Sequence, residues 1–279
     1  MSDPVMKPLK TAMHKSKKRR IISALAAAFV VLAGLCAATF IAGIGGIIQT
    51  FFPVDVSDAM DADTITASNG IVLPYRIYAP ENAAGLPLVL FLHGSGARGD
   101  DNLAQAKKNT VFQTLLRDVN RRDFPCVALA PQCPAELDWS KEGVCAALHE
   151  LLDQIQRQFG TDPTRVYITG LSMGGNGTWS MLAAYPDSFA AAVPICGGGD
   201  PTAVPDFADV PIWVFHGRRD QFVPVQDSRD MVAALQNAQG AAAAHPVKYT
   251  EYPWENHACW ELAYRDKELF PWMFSQHRD

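Results

Sequence analysis

Three residues in one order point to nucleophilic catalysis in this chain: Ser172, then Asp220, then His257. A serine hydroxyl is a poor nucleophile unless an adjacent base takes its proton, and an imidazole base needs a carboxylate to fix its tautomer. Ser172 is the centre of Gly170-Leu171-Ser172-Met173-Gly174, a G-x-S-x-G segment. A serine in such an elbow stands on a strained turn, and the glycines on either side let strand and helix approach closely. The motif alone is a weak signal, and its flanks make it a strong one. Residues 165–171 are β-branched and apolar, as in a buried strand, whereas beyond Gly174 the residues Trp179, Met181, Leu182 and Tyr185 follow helical spacing.

Asp220 and His257 fall where such a serine needs them. The strand-like run 212–215 leads into His216-Gly217-Arg218-Arg219-Asp220, and the run 247–252 leads to Asn256-His257. Both positions lie just past the carboxyl end of a strand, where open α/β sheets gather their sites. The rivals are less well placed. Asp227 and Asp230 fall inside a predicted helix, Glu255 is very near His257 in sequence, and His245 precedes the last strand. His14, His149 and His277 lie in a tail, in a helix and at the C-terminus. His216 is the serious rival for the base, and its position suggests that it shapes the loop carrying Asp220. A tetrahedral intermediate also needs two donors aimed at its oxyanion. The N–H of Met173 is one; the other is assigned to Gly94 or Ser95, in the His93-Gly94-Ser95-Gly96 turn after the apolar run 88–92. That turn lacks a Walker lysine and does not open a G-x-G-x-x-G helix, so it is not a phosphate cradle. Asn176-Gly177-Thr178 is formally a glycosylation sequon, but it sits on the helix behind the serine, where a glycan has no room.

The elements that must hold these residues follow from the periodicity. Runs 64–67 and 72–78 flank Ser68-Asn69-Gly70, a turn signal, and predict an antiparallel hairpin at the sheet edge. Strands are predicted at 88–92, 127–130, 189–195, 212–215 and 247–252, and helices at 103–119, 144–159, 225–239 and 260–274. Strands alternating with helices predict a three-layer α/β fold around a mostly parallel sheet. Between the strand ending near Ile195 and the next there are only residues 197–210, which leaves no room for a large helical lid. The cleft should therefore be open, with Trp139, Trp179 and Trp260 each a candidate either to line it or to fill the core.

Composition narrows the class. The chain has 279 residues, 48% of them apolar, ample for a core, and its net charge of −5 hides an asymmetry. Residues 1–20 hold seven Lys or Arg against one Asp, a net of +6, which leaves −11 for the remainder. An acidic globular part is a poor nucleic-acid binder. The six cysteines include no C-x-x-C pair and no zinc spacing with histidine, so neither a metal nor another cofactor is expected. Isolated buried cysteines are one reading; Cys196 and Cys259 each follow a strand end near the serine, which makes a disulfide between them the geometrically plausible alternative.

The basic tail 1–20 precedes an uncharged apolar run over 21–48, longer than a signal-peptide core and long enough to cross a bilayer. Basic residues before it and none after predict a signal anchor with the rest of the chain extracytoplasmic, the alternative being secretion after signal cleavage. The expected organisation is thus a cytoplasmic tail (1–20), a transmembrane helix (21–48), a linker (49–63) and a catalytic domain (64–279).

The segments LHGSGARGDDN, APQCP, DPTRVYITGLSMGGNGTW, PICGGGD, HGRRDQFVP and ENHACW together resemble the α/β-hydrolase superfamily. More narrowly, they resemble peptidase and carboxylesterase proteins related to polyhydroxybutyrate depolymerase-like and feruloyl-type esterases. The resemblance covers residues 71–274 and implies Ser172 as nucleophile, Asp220 as acid and His257 as base. It departs at Ala97, where the HGxGERG form of the loop carries Glu, which puts in question any loop-ordering or substrate-contacting role of that position. The implied function is hydrolysis of carboxylic esters, small or polymer-borne, through an acyl-enzyme. The alternatives are a prolyl-oligopeptidase-like serine peptidase and a non-catalytic binding module on the same scaffold.

Overall fold

Alternating apolar side chains in the strands decide which layer each residue meets. In the computed structural model, which describes residues 57–107, 110–240 and 243–278, the strands are β1 (Asp61–Thr66), β2 (Val72–Tyr78), β3 (Leu88–Leu92), β4 (Val127–Pro131), β5 (Val166–Leu171), β6 (Ala191–Ile195), β7 (Trp213–Gly217) and β8 (Lys248–Tyr252). The helices among the described residues are α1 (Thr110–Leu115), α2 (Asp118–Asp123), α3 (Glu142–Phe159), α4 (Met173–Ala184), α5 (Val225–Gln239), α6 (Trp260–Ala263) and α7 (Leu269–Phe274). Along β3, Leu88, Leu90 and Leu92 join the core on one face of the sheet with residues of α3, α4 and α5. Val89 and Phe91 join the core on the other, with residues of α1 and α7. All five residues of β3 are buried, as a strand covered on both faces requires.

The strands form one eight-stranded sheet in the order β1-β2-β4-β3-β5-β6-β7-β8. β1 pairs antiparallel with β2, and β2 antiparallel with β4; every later pairing is parallel. The hairpin turn is tied to α3: the Ser68 N–H donates to Glu150 Oε2 at 2.8 Å, and Asn69 Nδ2 donates to the Gly143 carbonyl at 2.7 Å. Gly70 takes φ +83°, which explains the glycine in that turn. The carboxyl ends of β3, β5, β7 and β8 feed the loops that carry His93–Ala97, Ser172, Asp220 and His257.

The structure corrects several expectations. β1 begins at Asp61, ahead of the boundary placed at 64. The helix expected over 103–119 is a turn followed by the short helices α1 and α2. Asp101 Oδ1 accepts the N–H groups of Leu103 and Ala104, and such local bonds compete with helix propagation. The single helix expected over 260–274 is split into α6 and α7. Pro271 has no N–H for the interior of a long helix, whereas in α7 it sits in the first turn, where none is needed. The connection 197–210 contains only a short 3-10 segment, Pro201–Asp206, in keeping with the absence of a large lid. The basic tail and the apolar run 21–48 lie outside the described residues, and among the described residues no helix is long and apolar enough to cross a membrane.

Candidate active site

Ser172 occupies the turn between β5 and α4 with φ +54° and ψ −119°, a conformation that costs a non-glycine residue on the order of 1–3 kcal/mol. The N–H of Ser172 donates to the Ile195 carbonyl at 3.0 Å, which anchors the turn to β6. The flanking glycines are demanded by backbone proximity. A Cβ at Gly170 would lie 2.3 Å from the Gly174 carbonyl oxygen, and one at Gly174 only 1.9 Å from that of Leu92.

The structure brings Ser172, Asp220 and His257 together. His257 Nε2 lies 2.9 Å from Ser172 Oγ, and its Nδ1 lies 2.6 Å from Asp220 Oδ2. The carboxylate facing Nδ1 puts the ring hydrogen there, which leaves Nε2 free to accept the serine proton. The Asp220 side chain is fully buried and sits at the mouth of a tight turn. Its Oδ1 accepts the N–H groups of Phe222 at 2.8 Å and Val223 at 3.0 Å. Burial opposes ionisation of this carboxyl, but the hydrogen bonds from His257 and from those two amides outweigh it and hold the acid below its ordinary range.

His216 proves to be the scaffold of that turn. Its Nε2 lies 3.1 Å from both Asp220 Oδ2 and the Val223 carbonyl, so the hydrogen belongs on Nε2. Nδ1 lies 2.8 Å from the Ser228 hydroxyl, which itself donates to the Gly197 carbonyl at 3.0 Å. Burial lowers the His216 pKa and keeps the ring neutral, although the Val223 carbonyl and Asp220 pull the other way.

On the other side of Ser172, the turn after β3 is clamped by contacts that the sequence did not suggest. His93 is buried, with Nδ1 2.7 Å from the Gly94 carbonyl and Nε2 accepting the Cys133 N–H at 3.0 Å. Burial pushes its pKa down to about 4, so the ring is a neutral Nδ1–H donor. Trp139 Nε1 donates to the His93 carbonyl at 2.9 Å. The loop beyond is ordered by buried Gln132, which donates to the Ala97 carbonyl at 3.1 Å and accepts the Asn102 N–H at 2.7 Å. No glutamate at position 97 is needed for that. Gly94 lies against the elbow: a Cβ there would be 3.6 Å from Ser172 Cβ. Met173 is the first residue of α4, so its N–H has no acceptor within the helix.

A cleft of about 320 Å³ opens beside the serine, lined by residues that include Gly94, Ser95, Thr110, Leu171, His257 and Trp260. Of the three tryptophans left open between cleft and core, Trp260 alone lines the cleft. Trp139, in the loop before α3, and Trp179, on the inward face of α4, are buried in the core. Of the two readings left open for Cys196 and Cys259, the structure shows free, buried thiols and no bridge. They nevertheless touch, and burial, reinforced by that contact, pushes the Cys196 thiol well up. Cys196, Asp220 and His257 place possible ligand atoms within 4.8 Å of one another. A protonated thiol and a histidine already paired to its carboxylate are poor cation ligands.

Fold and site together define an α/β-hydrolase. The family model described as "Putative esterase" matches residues 70–270, and the chain belongs to this esterase family. A solved thermostable esterase is 37% identical with a TM-score of 0.73, the match covering 80% of this chain and 64% of that one. The bifunctional acetylxylan esterase/xylanase XynS20E of Neocallimastix patriciarum is 30% identical over 54% of this chain and 22% of its own length. Poly(3-hydroxyalkanoate) depolymerase C of Paucimonas lemoignei is 44% identical over 20% of this chain and 14% of its own. The chain thus spans about a fifth or less of these two curated relatives.

Proposed function

We propose that this chain is a carboxylesterase acting through a serine acyl-enzyme. The observation that carries the reading is the hydrogen-bonded series Ser172 Oγ, His257 and Asp220 on a strained strand-to-helix elbow. Ser172 Oγ attacks the ester carbonyl carbon while its proton passes to His257 Nε2. Asp220 holds the resulting imidazolium in place. The N–H of Met173, together with that of Gly94 or Ser95, stabilises the oxyanion. Collapse of the intermediate expels the alcohol, which takes the proton from His257. Water then attacks the acyl-enzyme and gives its proton to His257, and collapse of this second intermediate releases the carboxylic acid as His257 returns the proton to Ser172 Oγ.

Two observations bear on the substrate. No helical lid lies between β6 and β7, and two of the curated relatives, the acetylxylan esterase/xylanase and the poly(3-hydroxyalkanoate) depolymerase, are named for polymers. An open cleft and such kinship support a polymer-borne or otherwise bulky ester. The basic-then-apolar pattern of residues 1–48 supports a membrane-anchored enzyme with its catalytic domain on the extracytoplasmic side.

A panel of small esters, feruloyl esters and peptide amides assayed with wild type and Ser172→Ala tests the reading. Ester turnover should fall by roughly 10⁶-fold in the variant. A fluorophosphonate should label wild type at Ser172 alone. Amide turnover above ester turnover, or an active Ser172→Ala protein, would sink it.

A further inference from the structure

We infer that Phe222, with Trp254 beyond it, forms a binding surface for the alcohol half of the ester, suited to an alcohol that carries a ring. The inference rests on the serine-esterase reading above. Among the described residues only two aromatic side chains are strongly exposed, Phe222 at 79% and Trp254 at 73%. They lie on the two loops that deliver Asp220 and His257. Scattered exposed apolar residues need no explanation. A ring fixed against the imidazole of the site does.

Phe222 is held in place by the turn that fixes the acid, through its N–H on Asp220 Oδ1. Its ring centroid lies 5.1 Å from that of His257. Trp260 stands 5.4 Å from the same imidazole and lines the cleft, whereas Phe222 is not among the cleft's walls. His257 therefore has one aromatic neighbour inside the cleft and one outside it. The two loops are laced together by the Arg219 N–H on the Glu255 carbonyl at 2.9 Å. The Arg219 guanidinium lies over the Trp254 ring at 4.6 Å and steadies that second flat surface.

The chemistry orients the substrate on these surfaces. The leaving oxygen must face His257 Nε2 to receive its proton, so the alcohol departs past the imidazole. The acyl group then occupies the cleft between Gly94, Thr110 and Trp260, and the alcohol extends over Phe222 into the open. Planar or ring-bearing alcohols gain most from an exposed phenyl face.

Two ester series test this, one with acetate fixed and the alcohol varied from methyl to benzyl, the other with methanol fixed and the acyl group varied from acetate to phenylacetate. In wild type, benzyl acetate should show the higher kcat/KM. In Phe222→Ala, the benzyl-to-methyl ratio should fall about five-fold, chiefly through KM, while the acyl-series ratio stays put. Trp254→Ala should move the alcohol ratio in the same direction by less. An unchanged alcohol ratio in Phe222→Ala, or a change confined to the acyl series, overturns the inference. If wild type and Ser172→Ala hydrolyse both series equally, the esterase reading itself has failed, a distinct result.

Discussion

Two loops, each with a histidine close behind a strand, face each other across Ser172, and the two histidines are held in opposite ways. His93, behind β3, spends both ring nitrogens on backbone partners, the Gly94 carbonyl and the Cys133 amide. His257, behind β8, spends its nitrogens on a carboxylate and a hydroxyl. Backbone partners cannot change protonation, so His93 is a fixed strut. A carboxylate and a hydroxyl as partners suit His257 to the proton-carrying role proposed for it. Residue type is the same on both sides, and the partners decide the work.

The largest effect should come from altering the partner of His257 while leaving the ring. In Asp220→Asn, the amide oxygen can keep the Phe222 and Val223 amides, which leaves the Nδ2 group facing His257 Nδ1. A donor there forces Nδ1 to accept, and the ring hydrogen moves to Nε2, where it points at Ser172 Oγ. The nucleophile then has no base. We expect kcat to fall by about 10⁴-fold, with an unchanged circular dichroism spectrum and melting temperature within a few degrees. A modest loss of activity would mean that His257 does not depend on Asp220 for its tautomer, and the contrast between the two loops would fail.

The His93 side should instead respond to steric change. Gly174 is its seat: a Cβ added there meets the Leu92 carbonyl oxygen at 1.9 Å and that of His93 at 2.9 Å. Neither neighbour is a flexible side-chain end that can swing away. Gly174→Ala should therefore cost about 3 kcal/mol of stability, read from urea unfolding, at every pH at which the protein folds. Activity should fall with it, because the turn carrying Gly94 and Ser95 is displaced. Wild-type stability in this variant would show that the turn after β3 is not seated on the elbow.

The same contrast separates what the sequence disclosed from what it hid. The elbow, α5 (Val225–Gln239) and the order of Ser172, Asp220 and His257 were legible because strand and helix periods, turn residues and chain order are all local signals. The clamp on His93 was not. Its partners, Cys133 and Trp139, lie 40 and 46 residues away, and no spacing rule connects them. Trp139 and Trp179 stayed open between core and cleft for a related reason: a tryptophan in a loop or on a helix carries no mark of which of the two it meets. Cys196 and Cys259 were rightly brought close, but proximity alone does not make a bond between two buried thiols.

The smallest effect, and the most discriminating, concerns protonation of the strut itself. His93 has a folded pKa of about 4 against about 6.5 when unfolded, so between those values the unfolded chain binds the extra proton. Its contribution to stability is therefore complete above about pH 6.5 and is lost as pH falls through about 4, an amount of about 3 kcal/mol. His93→Gln removes the titration while retaining one donor and one acceptor on the side chain. Unfolding free energies measured from pH 7 to pH 4 should thus fall less steeply in His93→Gln than in wild type. His216 is also depressed, but it is common to both proteins and cancels from the difference. Parallel curves would mean that His93 takes up a proton without leaving its partners, and it would then be a second titrating histidine beside Ser172 instead of a fixed strut.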